Sequence, residues 1–514
     1  MKILPVEMIR EADAYTIKNE PVSDIDLMER AASACFYWMI ANIPADRKIL
    51  VFAGTGNNGG DGLAIARMMI QKGYAVHVFL SGKEEHRSPS CRTNLERLDP
   101  LLEMSITQLT EKEELPPVNP DKDVIVDALF GSGLSRPVEG FNANIIRHLN
   151  SSGAFILSVD IPSGLFCDET VSGLSNPAII HADQTLTFSP PKYAFFFPEN
   201  DKYTGNWELL DIGLMREFTE NAQSRNVFVE KSDVAAFLKT RNKFSHKGIF
   251  GHALLICGST GKMGAAVLSA NACLRTGTGL VSVHVPSGEK NILQTAVPEA
   301  MLDIDASENL FSGIKSTENF TAIGIGPGIG MNEETQNALK LLIQNSIVPL
   351  VFDADALNIL GENKTWISFI PKGSIFTPHK KEFERIAGFC SNDFERNERQ
   401  RELSIKYGIY ILLKGAYTAI TTPEGNCYFN PTGNPGMATG GSGDVLTGII
   451  TGLRAQGYSP LEACLLGAYL HGLAGDIAAE ESGEEAMIAG DIVRNLGKAF
   501  KGIREFRNAG MQEL

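Results

Sequence analysis

The run Asn434-Pro-Gly-Met-Ala-Thr-Gly-Gly-Ser-Gly-Asp444 places four glycines and a carboxylate just before an apolar, helix-patterned stretch, Val445 to Leu453. Glycine loses more backbone entropy on folding than any other residue, so Gly436, Gly440, Gly441 and Gly443 imply left-handed backbone or close approach of the main chain to another group. Bound phosphate suits such a loop. A helix start offers unpaired N–H groups and partial positive charge, and glycines let an anion reach them without meeting a Cβ. Asp444 falls at that helix start. A carboxylate there repels phosphate, unless its task is to accept a proton from the group being phosphorylated or eliminated. A Gly-rich turn capped by aspartate is the plainer reading of the same residues.

A second set of chemistry-bearing residues lies nearer the N-terminus. Gly54-Thr-Gly-Asn-Asn-Gly-Gly-Asp-Gly62 formally satisfies the dinucleotide fingerprint, yet the next strand ends in Leu80-Ser-Gly-Lys83, without the acidic residue that would hold a ribose. This argues against an ordinary hydride-transfer enzyme. Asn57, Asn58 and Asp61 crowd the loop with oxygens that phosphate binding alone does not require. Asp127 ends another strand ahead of Phe130-Gly-Ser-Gly-Leu-Ser-Arg-Pro137, and Asp160 ends a further one ahead of Ile161-Pro-Ser-Gly164. Three strand ends thus deliver Asn58, Asp127 and Ser163 to one sheet edge. Oxygen-only ligands with a single carboxylate suit a hard, monovalent cation.

The elements that position these groups follow from the hydrophobic pattern. Val6, Ile9 and Ile17 mark a first helix over 6–19, and Ser23 is placed to cap a second that carries Leu27, Ala31, Ala34 and Trp38. Short apolar strands then alternate with helix-length segments: 49–53, 75–80, 123–127, 154–159 and 185–188, with a closing strand within 205–213 and a helix over 63–69. A second series has strands at 253–257, 281–285, 320–325, 348–352 and 409–413, and a helix over 265–275. Such alternation reads as βαβ units in parallel sheets, whose ligands sit at the carboxyl ends of the strands. Gly258-Ser-Thr-Gly-Lys-Met-Gly264 is not a P-loop, because Ile256 stands where a glycine is required and Met263 where a Ser or Thr would hold magnesium.

The 514 residues carry a formal net charge of −15, which disfavours sequence-independent nucleic-acid binding, and no apolar run approaches the roughly 18 residues of a membrane span. Eight scattered cysteines form no C-x-x-C pair, arguing against zinc and a disulfide framework. With no signal peptide evident, a soluble cytoplasmic protein is expected.

Residues 1–215 resemble the NAD(P)H-hydrate epimerase domain, also called the YjeF N-terminal domain. The likeness is carried by Gly56-Asn-Asn-Gly-Gly-Asp-Gly62, by Asp127 with Gly131-Ser-Gly-Leu-Ser-Arg-Pro137, and by Asp160-Ile-Pro-Ser-Gly164. It implies that Asn57, Asn58, Gly59, Gly60 and Asp61, with Gly131, Ser132, Gly133, Leu134, Ser135, Arg136 and Pro137, hold a hydrated nicotinamide nucleotide. It also implies that Asn58, Asp127 and Ser163 coordinate potassium and that Asp160 contacts the substrate. Epimerising a hydrated carbon requires its C–O bond to break and re-form, so Asp160 is the expected acid–base group.

The second domain, 228–514, is similar over 228–505 to the ADP/ATP-dependent NAD(P)H-hydrate dehydratase domain of the ribokinase-like superfamily. Ser245-His-Lys-Gly248, Gly326-Pro-Gly328, Thr377-Pro-His379, Lys414-Gly415, Asn430-Pro-Thr-Gly-Asn434 and Gly440-Gly-Ser-Gly-Asp444 carry that resemblance. It implies that Lys414, Gly415, Ala416, Tyr417 and Thr418, with Asn434, Pro435, Gly436, Met437, Ala438, Thr439, Gly440, Gly441, Ser442 and Gly443, bind the adenine nucleotide. Ala265, Gly328, His379 and Asp444 then fall on hydrate-binding positions, with Asp444 catalytic. The fold expectation is two three-layer α/β domains in tandem, Rossmann-like then ribokinase-like.

The functional expectation is a fused repair enzyme for hydrated NADH and NADPH (NADHX and NADPHX), with potassium in the first domain and ADP, or ATP, with magnesium in the second. A homo-oligomer without nucleic-acid or membrane partners is expected. Two alternatives are a small-molecule kinase, which leaves the first domain unexplained, and a non-catalytic binding module, which leaves Asn58, Asp127 and Asp160 unexplained.

Overall fold

The computed structural model describes residues 1–98 and 106–510. They divide into two compact units, Met1–Asn226 with Asn392–Phe394, and Val227–Ser391 with Glu395–Leu514. No helix among the described residues is long and apolar enough to cross a membrane.

In the first unit, β1 (Lys48–Ala53), β2 (Ala75–Leu80), β3 (Ile106–Gln108), β4 (Asp123–Ala128), β5 (Phe155–Val159), β6 (Gln184–Phe188) and β7 (Asn206–Leu210) form one sheet in the order β3-β2-β1-β4-β5-β6-β7. Every pairing is parallel. Both faces of β1 are buried: Ile49, Val51 and Ala53 pack with Leu27, Leu63 and Ile65, and Leu50 and Phe52 pack with Ile145, Ile146 and Leu149. A continuous apolar strand is what a sheet covered on both sides demands. Strand order reverses between β1 and β4, so the chain segments leaving these two strands diverge and open a crevice. The helix Asp24–Asn42 begins with the expected Ser23 cap, a full capping box with Asp26.

One helix starts earlier than its pattern predicts. The segment expected as a loop before Leu63 is already helical from Asn57 to Gln71, with Gly56 as an N-cap that has no side-chain cap. Its glycines permit backbone to lie on backbone. A Cβ on Gly54 would come within 1.9 Å of Leu129 O, and one on Gly59 within 2.1 Å of Gly54 O. Gly54→Ala is therefore expected to cost the first unit about 3 kcal/mol through overpacking, measured by thermal unfolding.

The second sheet consists of β8 (Asn226–Phe228), β9 (His252–Ile256), β10 (Leu280–Val285), β11 (Met301–Ile304), β12 (Ala322–Ile325), β13 (Leu350–Phe352), β14 (Ile375–Phe376), β15 (Tyr410–Leu413), β16 (Thr418–Thr421) and β17 (Cys427–Asn430). The order is β11-β10-β9-β12-β13-β14-β15-β16-β17-β8. Pairing is parallel through β15 and antiparallel for β15–β16 and β16–β17. That hairpin extension departs from the all-parallel expectation. The short β3, β8, β11 and β14 also lack a periodicity long enough to announce them in sequence.

Helices cover both faces of this sheet. Leu254, Ile256, Ile323 and Ile325 meet Leu339, Leu342 and Leu357 on one side, and Ala253, Leu255 and Val283 meet Ala266, Ala270 and Cys273 on the other. The order reverses between β9 and β12. There Gly258 N donates to Pro327 O at 2.8 Å and Ser259 Oγ to Gly328 O at 2.7 Å. The helix after Gly441 runs from Ser442 to Ala455, so Ser442, Gly443 and Asp444 are its first turn.

Candidate active sites

Each unit holds a cleft at the carboxyl edge of its sheet. The first, about 500 Å³, is lined by Asn57, Asn58, Asp61, Gly131, Ser132, Gly133, Leu134 and Asp160 among the residues expected from sequence, together with Arg10, Asp13, Phe130 and Lys192. Gly59, Gly60, Ser135, Arg136 and Pro137 are not part of that lining. For Gly59 and Gly60 the reason is packing, because a Cβ on Gly60 would meet the Met28 sulfur at 2.7 Å. The helix start at Gly56 has no side-chain cap, and Gly56, Asn57 and Asn58 from that start line the cleft.

Beneath this cleft the three proposed cation ligands meet. Asp127, fully buried, accepts from Ser163 Oγ (2.6 Å), Ser158 Oγ (2.8 Å) and Ser163 N (2.9 Å). Burial raises its pKa, and these hydrogen bonds oppose the rise. Asn58 Nδ2 donates to Phe130 O at 2.9 Å, and Asn58 Oδ1 is buried without a hydrogen-bond partner. An orphaned carbonyl oxygen beside a carboxylate, a hydroxyl and a main-chain carbonyl is a donor set that fits potassium. Among the described residues no group of three His, Cys, Asp or Glu side chains is arranged to hold a metal ion.

Asp160 sits with φ 65°, a left-handed conformation that a non-glycine residue adopts at a cost. Its Oδ1 pairs with Lys192 Nζ at 2.5 Å, and Lys192 is only 2 % exposed, also donating to Phe188 O at 2.7 Å. Sequence reasoning passed over Lys192, although it follows the end of β6 by four residues, where this architecture collects ligand-binding groups. Asp61 lies nearby. Burial, then Asp160 and Asp13, push its carboxyl well above the usual range.

The second cleft, about 790 Å³, is lined by Lys414, Gly415, Ala416 and Thr418, by Asn434, Pro435, Met437, Ala438, Thr439, Ser442 and Gly443, and by His379 and Asp444. Tyr417, Gly436, Gly440 and Gly441 are outside the lining. Gly441 adopts φ 96°, and Gly436 lies where a Cβ would meet Glu484 O at 2.6 Å, so these two glycines serve the loop's own path. A Cβ on Gly440 would meet nothing, whereas one on Gly443 would stand 3.2 Å from Lys414 Nζ. Ala265 and Gly328 are also outside the lining. They face one another at the β9/β12 switch point, a Gly328 Cβ lying 3.2 Å from that of Ala265.

Charges in this cleft are interlocked. Asp353 could have capped the helix Ala354–Glu362 but makes no cap bond. Its carboxylate takes Lys414 Nζ at 2.8 Å and Thr447 Oγ1 at 2.7 Å instead. Burial pulls the Lys414 pKa down, but Asp353 and Glu382 outweigh it and leave the ammonium above its usual value. The Asp444 carboxylate has no hydrogen-bond partner among the described residues. Burial, then Asp353, raise its pKa to about 6 against the pull of Lys414. His379 caps the helix Lys380–Ala387, accepting from Lys381 N and Glu382 N through Nδ1, while its Nε2 lies 3.2 Å from Glu382. It is thus a cap and a cleft wall at once.

Two supports were not anticipated from sequence. His471 donates from Nε2 to Ser442 O at 2.9 Å, and burial lowers its pKa to about 4, so it is neutral near pH 7. Asp476 accepts from Gly433 N (3.1 Å) and Asn434 Nδ2 (3.0 Å), fixing the loop that enters the glycine run. Both lie inside the apolar helix Pro460–Ser482, where a polar residue facing inward was the available signal.

The bifunctional NAD(P)H-hydrate repair enzyme of Moorella thermoacetica is 37% identical over 483 residues, covering 90% of this chain and 89% of that protein. The chain belongs to that family. The family's two models match separate parts: YjeF-related protein N-terminus over 24–194 and NAD(P)H-hydrate dehydratase over 253–498. The repair enzyme of Coxiella burnetii is 34% identical, covering 95% of this chain and 97% of its own. A crystal structure of ADP/ATP-dependent NAD(P)H-hydrate dehydratase from Bacillus subtilis, with ATP and Mg2+, is 30% identical with a TM-score of 0.47, covering 54% of this chain and 98% of that one. In this NAD(P)H-hydrate repair protein the segment 253–498 holds the whole second cleft, while the first cleft is built from 24–194 together with Ile9, Arg10, Asp13 and Ile212 outside it.

Proposed function

We propose that the first unit interconverts the R and S hydrates of NADH and NADPH, and that the second removes water from the S hydrate using ADP, or ATP, as phosphoryl donor. The observation that carries this reading is Asp444, an unpartnered carboxylate in the first turn of an uncapped helix, lining a cleft large enough for a nucleotide. Hydroxide is a poor leaving group. The unpaired first-turn amides and the Lys414 ammonium would receive the phosphates, and Asp444 would take the hydroxyl proton as that oxygen accepts the phosphoryl group. Loss of the phosphate then breaks the C–O bond, and loss of a ring proton restores the dihydronicotinamide double bond. His379, and at the β9/β12 switch point Ala265 and Gly328, are the proposed walls of the hydrate subsite.

Magnesium fits here as a companion of the nucleotide's phosphates, where it would neutralise their charge. Asp353 is already engaged by Lys414 and Thr447, and Asp355 by Gly330 N at 2.8 Å. Potassium, bound through Asn58 Oδ1, Ser163 Oγ, Asp127 and Phe130 O, would place fixed positive charge beneath the anionic substrate. Incubating a mixture of both NADH hydrates with the protein and ADP or ATP, in potassium or sodium buffer, tests the reading. Recovery of the full NADH absorbance is expected only with nucleotide, and faster in potassium. Accumulation of a stable phosphorylated product would favour a kinase instead.

A further inference from the structure

Inverting a hydrated carbon by breaking and re-forming its C–O bond needs a proton donor where the hydroxyl leaves and an acceptor where water returns. The first cleft offers a carboxyl group for each task, on different walls. Asp160, at the end of β5, has one oxygen held by Lys192 and by Phe188 N (3.4 Å), leaving Oδ2 without a hydrogen-bond partner. Asp13 lines the same cleft from the helix Val6–Asn19 and makes no hydrogen bond or ion pair among the described residues. It stands four residues beyond buried Ile9, on the face turned inward.

We propose that Asp13 is the second acid–base group of this cleft, giving a proton to the departing hydroxyl of one hydrate epimer while Asp160 receives a proton from the water that adds in its place. The inference rests on the epimerase reading of the first unit. In the first step the Asp13 proton moves to the hydroxyl, the C–O bond breaks with its electron pair leaving as water, and the ring nitrogen's lone pair forms a C=N bond. In the second step water attacks the other side of that carbon, a new C–O bond forms, the C=N pair returns to nitrogen, and the surplus proton goes to Asp160 Oδ2. Exchange with solvent in the open cleft returns the proton to Asp13. Nothing is oxidised or reduced.

The surroundings of the two carboxyls support these unlike roles. Asp160 belongs to an ion pair. Asp13 has none and faces Asp160 and Asp61, with Asp24 and the cations Lys192 and Arg10 nearby. Burial, and next Asp160, raise its pKa to about 6, which keeps a proton available near neutrality.

The experiment follows exchange of one purified hydrate epimer into the other by chromatography, without nucleotide, in the full-length wild-type chain and in Asp13→Asn. In the direction where Asp13 acts as acid, wild-type kcat/KM is expected to fall as pH rises through about 6. The variant should lose about 10²–10⁴-fold in kcat and with it that pH limb, while its nucleotide-dependent dehydration is unchanged. A variant as fast as wild type, or one slowed but with the same pH limb, overturns the proposal. Should Asp13→Asn melt below the assay temperature, Asp13→Glu decides: a displaced limb supports the role and an unmoved limb refutes it. If the wild-type chain does not exchange the epimers at all, the epimerase reading falls first and takes the proposal with it.

Discussion

Asp444→Asn is expected to abolish nucleotide-dependent recovery of NADH from its hydrate, lowering kcat by about 10²–10⁴-fold, while exchange between the epimers continues. The substitution keeps the shape of the side chain and removes only its capacity to take a proton. It should leave the helix Ser442–Ala455 in place, because Val445 N already bonds Gly441 O at 3.1 Å and the Asp444 carboxylate makes no structural hydrogen bond among the described residues. The wild-type rate should rise as pH increases to about 6 and level off above it, since a general base acts only when deprotonated and burial has raised this one to about 6. The linkage sign gives an independent check. A carboxyl whose folded pKa is raised binds protons more readily when folded, so its burial costs stability increasingly as pH climbs from about 4 to about 6. Thermal melts should therefore show Asp444→Asn matching wild type near pH 4 and exceeding it above pH 6. Loss of both activities in a well-folded variant, or of neither, would contradict the division of labour between the units.

Much of this arrangement was legible in sequence because strand ends in parallel sheets are where ligands gather, and the chain puts its glycines and carboxylates there. Asn58, Asp127 and Ser163 could be collected into one site without coordinates, since three strands ending in oxygen-bearing residues have only one edge to share. What escaped detection are groups whose meaning depends on a partner far along the chain. Lys192 becomes informative only once Asp160 is found 2.5 Å away. Asp13 sits in an unremarkable amphipathic helix and gains significance from the cleft it faces. Asp353 stands at the N-cap position of a helix, and only the positions of Lys414 and Thr447 reveal that its carboxylate is used elsewhere. Glycine was ambiguous for a different reason: entropy says that a glycine is costly, not whether ligand or neighbouring backbone requires it. Gly443 faces the cleft and Gly59 faces the Gly54 carbonyl, and the two are indistinguishable as letters.

The two clefts solve the same problem differently. In the second, Asp444, the proposed base, has no hydrogen-bond partner among the described residues, while Asp353 and Lys414 in the same cleft hold one another. In the first, the proposed acid–base group, Asp160, is itself the ion-pair partner of a buried lysine, Lys192. Substitution there should consequently damage folding and chemistry together, and a pair of variants can separate the two.

Asp160→Asn is expected to destabilise the first unit by about 3–5 kcal/mol and to lower epimerisation by about 10²–10⁴-fold, with dehydration of the S hydrate unaffected. Backbone strain is not the cause, since asparagine is among the few residues that accept the left-handed conformation required at φ 65°. Charge is. Lys192, 2 % exposed, would keep the Phe188 and Pro190 carbonyls, at 2.7 and 3.4 Å, and an uncharged amide oxygen in place of the carboxylate, leaving a buried ammonium without a countercharge. Lys192→Met alone should be similarly destabilising, because it strands the Asp160 carboxylate in its place. The double variant, Asp160→Asn with Lys192→Met, removes both charges at once and should recover most of the lost stability, since a buried ion pair contributes little net once both desolvation costs are gone. Its epimerisation should stay at the level of Asp160→Asn, because no carboxylate remains to receive the proton of the entering water. Strictly additive losses in denaturant unfolding would mean that the two side chains do not interact, and restored epimerisation in the double variant would mean that the pair is structural and that the proton moves elsewhere.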